Sequence, residues 1–127
     1  MNKMIPLFLV LLLTLSSCFE ANRNCADFRT GTFEFETYIN GEMQTSQFIR
    51  NDSIEIEKYQ GKVDTSSVRW INDCEYILKN INPKNMAEEK PIHIKILTTT
   101  KNAYTFEYGQ VGSPQKARGE VRKISDN

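Results

Sequence analysis

Leucine almost vanishes from this 127-residue chain after its first segment. Six of eight leucines lie at or before Leu15, and only Leu78 and Leu97 follow. Net charge is missing too, with 16 Lys plus Arg against 16 Asp plus Glu. That balance argues against a polyelectrolyte partner, so no nucleic acid is expected. It is equally far from the one-sided charge of a disordered chain. Histidine is reduced to His93. There is no Cys-x-x-Cys or His-rich metal spacing, no Gly-x-Ser-x-Gly elbow and no phosphate loop. The expectation is a non-enzymatic protein with no cofactor and no metal. The length allows one domain.

What is present begins with residues 1–17, MNKMIPLFLVLLLTLSS. Lys3 precedes an apolar run from Met4 to Leu15. The run is shorter than the about 20 residues a spanning helix needs and has the length of a signal-peptide core. Leu15-Ser16-Ser17-Cys18 follows, a large aliphatic, two small residues and a cysteine. This tetrapeptide resembles the bacterial lipobox. The resemblance implies cleavage before Cys18, acylation of Cys18 with diacylglycerol and a further acyl chain, and attachment to a lipid bilayer. Several acyl chains anchor far more firmly than one. The expected location is the cell envelope, in the outer membrane of a Gram-negative bacterium, and Phe19 after Cys18 is compatible with that sorting.

Removing 1–17 leaves 127 − 17 = 110 residues with 15 basic and 16 acidic side chains. Residues 18–24 read as a lipidated tether. Its six residues after Cys18 span about 20 Å when extended, so the domain, residues 25–127, is expected close to the bilayer. The remaining apolar residues are mostly Ile, Val, Phe and Tyr, which suit a pleated, half-buried sheet.

Short alternating runs fill the domain. Thr32–Ile39 sets Phe33 and Phe35 against Glu34 and Glu36. Asn40-Gly41 is a hairpin turn in which both residues tolerate positive φ. Met43–Arg50 returns. Ser53–Tyr59 alternates Ile54 and Ile56, read as the core face, against Glu55 and Glu57. Gln60–Thr65 reads as a loop. Ser67–Ile71 carries Val68 and Trp70, and Cys74–Asn80 carries Cys74, Tyr76 and Leu78. Asn82-Pro83 suggests a capped start, and a short helical turn is predicted near 83–89. Ile92, Ile94 and Ile96 form a sixth inward row, Tyr104, Phe106 and Tyr108 a seventh, and Ala117–Ile124 is the last strand. The fold class is all-β: an antiparallel up-and-down meander of about eight strands. It would form a small barrel or strongly curved sheet, with a two-sheet sandwich as the alternative.

Cys25 and Cys74 can close a disulfide in an oxidising compartment, worth about 4 kcal/mol on the chain-entropy model. The alternative is two independent thiols. Trp70, Tyr76, Tyr104, Phe106 and Tyr108 share predicted inner faces. They can line a pocket for an apolar or amphiphilic ligand, or simply fill the core. Glu34 with Glu36, and Glu55 with Glu57, are same-face pairs about 7 Å apart, and the alternation places both on a solvated outer face. His93 is expected outside as well.

Two stretches carry a wider resemblance, Asp27–Phe33 and Val68–Tyr76. They resemble small bacterial envelope lipoproteins with a lipocalin-like β-meander. That implies a membrane-anchored binding module for a small hydrophobic ligand, or an envelope protein-interaction module with a solid core. The chain lacks the Gly-x-Trp that lipocalins carry near the first strand. Some look-alikes bear a topoisomerase IV label, but a type II topoisomerase subunit is far longer than this chain.

Overall fold

The computed structural model describes residues 23–127. Cys18 and the signal segment lie outside the described residues. Eight strands follow a 3₁₀ helix η1 (Cys25–Phe28). They are β1 (Gly31–Ile39), β2 (Glu42–Arg50), β3 (Ile54–Tyr59), β4 (Lys62–Asn72), β5 (Glu75–Asn80), β6 (Ile92–Thr99), β7 (Ala103–Gln110) and β8 (Ala117–Ser125). Each pairs antiparallel with its successor, and β8 returns to β1, so the meander closes into a barrel. Neither the open curved sheet nor the sandwich forms.

Tight turns set this order. Asn40 and Gly41 both take positive φ (53° and 79°), which matches the twist of a two-residue hairpin. Gln60 and Gly61 do the same (47° and 74°). The expected loop over 60–65 is therefore a two-residue turn, and β4 starts at Lys62. Gln60 carries no turn signature of its own, so the sequence hides this hairpin behind a single glycine.

No helix forms over residues 83–89, where bends and a turn replace the expected helical turn. Side chains there compete with the helix for backbone groups. The Glu88 N–H donates to Asn85 Oδ1 (2.9 Å), and the Lys84 N–H donates to Glu88 Oε2 (2.7 Å). The helical element lies instead at η1.

The barrel has two unlike ends. Three β-bulges or register shifts, at Thr32/Phe33, Trp70/Asn72 and Ile96/Thr98, sit at one end. Bulges bend strands and raise twist, which helps draw this end inward. η1 closes it. Phe28 is fully buried and meets Tyr104 edge-on at 5.1 Å. Lys123 Nζ donates to the Asp27 carbonyl (2.6 Å). Arg23 Nη1 reaches the Ile96 carbonyl (3.0 Å) and the Asn24 N–H reaches Thr99 Oγ1 (2.8 Å). A disulfide joins Cys25 to Cys74, with Cα atoms 5.3 Å apart. At the other end lie the turns at 40–41 and 60–61 and the connections 81–91 and 111–116.

Candidate functional site

The inner face is mostly what alternation predicts. Phe33, Phe48, Val68, Tyr76, Ile94, Ile96, Tyr104, Phe106 and Val121 form the core, with Phe35 and Leu78 packed on it. β3 is the exception, and it overturns the expected outer face for Glu55 and Glu57. Register places Arg50 opposite Glu55 and Phe48 opposite Glu57. Opposed residues share a face, so both acids point inward with Phe48. Ile54 and Ile56 take the outer side, and Ile56 pairs there with the exposed Ile49.

The cause lies in the 51–53 turn. Asn51 Oδ1 accepts the N–H groups of Ser53 (3.0 Å) and Ile54 (2.8 Å). The Asn51 N–H donates to the Ile54 carbonyl (3.0 Å). This side-chain turn fixes Arg50 against Glu55.

Arg50 is the hub of the barrel floor, and its exposure is 0%. Nε donates to Glu55 Oε1 (3.1 Å) and Nη1 to the Phe28 carbonyl (2.7 Å). Nη2 donates to the hydroxyls of Tyr76 (2.6 Å) and Tyr104 (2.9 Å). The guanidinium also lies 4.6 Å from the Tyr76 ring centre and 4.8 Å from that of Phe33, within cation–π range. Burial disfavours its charge, but the oxygens of Tyr104, Tyr76 and Glu55 outweigh that, and Arg50 stays protonated above its ordinary range. Burial pushes the Glu55 carboxyl up, and Arg50 pulls it back. Burial likewise holds the Tyr76 phenol protonated.

Above this floor lies a cavity of about 200 Å³. Phe35, Phe48, Tyr104, Phe106, Tyr108 and Ile94 give it apolar walls, and Ser46, Glu55 and Glu57 give it polar ones. Its mouth is at the end opposite η1, where Ile92 and Tyr108 are partly exposed. Of the sequence-predicted pocket residues, Tyr76, Tyr104, Phe106 and Tyr108 line it. Trp70 does not. It sits lower, 4.5 Å from the Tyr76 ring and covered by Arg29 at 4.8 Å. Its indole N–H is buried with no hydrogen-bond partner among the described residues.

The other candidate groups stay apart from the cavity. Glu34 pairs with Arg122 (2.8 Å) on the outer wall, beside Glu36 and Glu120. His93 pairs with Glu75 (3.0 Å), also outside the cavity. Hydrogen bonding from Asn72 lowers the Glu75 carboxyl, with help from His93 and Lys95. Among the described residues no three His, Cys, Asp or Glu side chains converge to hold a metal ion.

Glu57 stands differently from Glu55. Desolvation raises its carboxyl, and the charges of Glu55 and Asp64 raise it further. Asp64 is its directly opposed partner on β4. Like charges so placed are destabilising.

Two outcomes follow. Arg50→Met leaves Glu55 buried without its cation and should cost about 3–5 kcal/mol in urea unfolding. Adding Glu55→Gln should recover at least about half of that loss, and no recovery would contradict the pairing. For Glu57, a folded-state pKa above the unfolded value means the penalty is absent at low pH and sets in as pH rises through the raised value. Glu57→Gln should therefore raise the melting temperature at about pH 7.5, with the difference gone near about pH 4. Equal melting temperatures at both pH values would refute this.

Protein-family models, curated proteins and solved structures give no match to this chain.

Proposed function

We propose that this protein is a cell-envelope lipoprotein, anchored through acylated Cys18, that binds a small amphiphilic ligand inside its barrel. One observation carries the reading: the barrel is not filled. An aromatic-walled cavity with a few polar groups remains above a closed floor. Apolar pockets with sparse polar groups are the usual form of small-molecule sites. At about 200 Å³ it is smaller than the roughly 300 Å³ and more that drug-sized ligands occupy. That favours a small molecule, or one end of a larger one, over an enclosed long acyl chain.

The tether supports an orientation. Arg23 and Asn24 are bonded to the η1 end of the barrel. An anchor at Cys18 then holds the closed end toward the bilayer and turns the mouth away from it. The ligand would arrive from the aqueous side. No catalytic role is assigned.

A second reading, an envelope interaction module, has its own support. Exposed apolar side chains gather near the mouth: Tyr38 and Met43, Val63, Ile81, Met86 and Val111. Exposed apolar side chains clustered at one end of a fold are a feature of contact sites.

Native mass spectrometry of the envelope-purified protein tests the first reading. The expected spectrum shows an acylated mature chain starting at Cys18 plus a small noncovalent adduct. Ser46→Phe, which fills the cavity from β2, should remove the adduct and keep the acyl mass. A chain without acyl mass would refute the anchor, and an adduct-free parent would refute the ligand.

A further inference from the structure

The cavity's charge is unbalanced, and the imbalance has a direction. Among the described residues the cation buried beneath the cavity is Arg50, and it is consumed at the floor. Its donors go to Glu55, the Phe28 carbonyl and two tyrosine hydroxyls. With 0% exposure it presents no surface to a ligand anion. Glu55 is 7% exposed and lines the cavity. Its Oε1 is taken by Arg50, and no donor among the described residues reaches Oε2.

Glu57 lies two residues nearer the mouth and lines the same cavity. No cation lies within ion-pair distance of it among the described residues. Instead Asp64 sits directly opposite it in the β3–β4 ladder. A recess that shares Glu55 and Glu57 with the cavity is also lined by Asp64, Glu88 and the cation Lys90. Glu57 and Asp64, both solvent-exposed at the mouth, are carboxylates held opposite each other, against the rule for stable cross-strand pairs. Such local violations gather at functional sites. Aromatic rings line the same cavity as these acids: Phe48, directly beside Glu57 in the β2–β3 ladder, and Phe106 and Tyr108 on β7. Carboxylates with aromatic faces are the two groups that attract an ammonium ion. The acids do not converge as metal ligands do.

We infer that the ligand is a small organic cation, its ammonium group between Glu57 and the open oxygen of Glu55, its apolar part against Phe48, Phe106 and Tyr108. This rests on the ligand-binding reading and adds the sign of the ligand's charge. Binding would replace the Glu57–Asp64 repulsion with attraction, so the site gives up stability in the empty barrel that the ligand restores.

The test is a titration of the purified full chain with n-hexylammonium, n-hexanol and n-hexanoate. The δ-methyl signal of Ile94, a cavity residue, reports occupancy. Hexylammonium should bind at least roughly tenfold tighter than either analogue, as one charge-assisted hydrogen bond implies. Glu57→Gln keeps the side-chain volume and sits at the mouth, and its ligand-free Ile94 signal checks that the barrel is intact. That variant should lose roughly the same tenfold for hexylammonium and nothing for hexanol. Equal binding of all three probes would overturn the cation inference while leaving a ligand site. Preferred binding of hexanoate would overturn it in favour of Arg50 as the anchor. Failure of all three to move Ile94 would overturn both readings.

Discussion

The Arg50–Glu55 pair, buried under aromatic rings at one end of the barrel, is the interaction on which the rest depends. Together with the Asn51 turn, it sets which face of β3 points inward. A one-residue slip would return Ile54 and Ile56 to the core and strand Arg50 without its carboxylate. It also docks the plug, because Arg50 donates to the Phe28 carbonyl at the end of η1. It orders the floor, because the Tyr76 and Tyr104 hydroxyls reach the same nitrogen. A buried ion pair is not a strong stabiliser compared with well-packed apolar groups. Its value here is in specification: a closed barrel of short strands needs its register fixed, and a charge without its partner is the costliest error available.

From that floor the two ends of the barrel differ in build. At the η1 end, bulges, the Cys25–Cys74 disulfide and the bonds of Arg23 and Asn24 tie the chain shut. At the other end the strands finish in two-residue hairpins and two longer connections, and apolar side chains such as Met86 (79% exposed) face solvent. One end is tied shut and the other is open. The cavity between them keeps apolar walls and an acidic rim, which is why a neutral chain overall can still present a signed interior.

Much of this was legible residue by residue. The rows Phe33–Phe35, Ile92–Ile94–Ile96 and Tyr104–Phe106–Tyr108 alternate with polar neighbours, Tyr76–Leu78 is flanked by Glu75 and Lys79, and each faces inward as its period requires. Asn40-Gly41 announced its turn. β3 misled because Ile54-Glu55-Ile56-Glu57 alternates just as cleanly, with the wrong face favoured by hydrophobicity. Only the partner strand reveals the answer: Arg50 is in phase with Phe48, and the Asn51 turn places Glu55 opposite it. η1 was invisible since four residues carry no period, and its position depends on a carbonyl meeting an arginine far along the chain. Residues 83–89 show the reverse failure, where a good capping sequence spends its side chains on local turns. Trp70 lies on the expected face but below the cavity, a distinction of depth that periodicity cannot express.

The central claim is that Arg50 is charged, dry and fixed. The most direct measurement is the ¹⁵N–¹H signal of its Nε in water at neutral pH. A buried, hydrogen-bonded guanidinium should give a sharp resonance, slow to exchange with solvent, with nuclear Overhauser contacts to the Tyr76 and Phe33 rings. A signal that exchanges as fast as those of the surface arginines, with no aromatic contacts, would contradict the account.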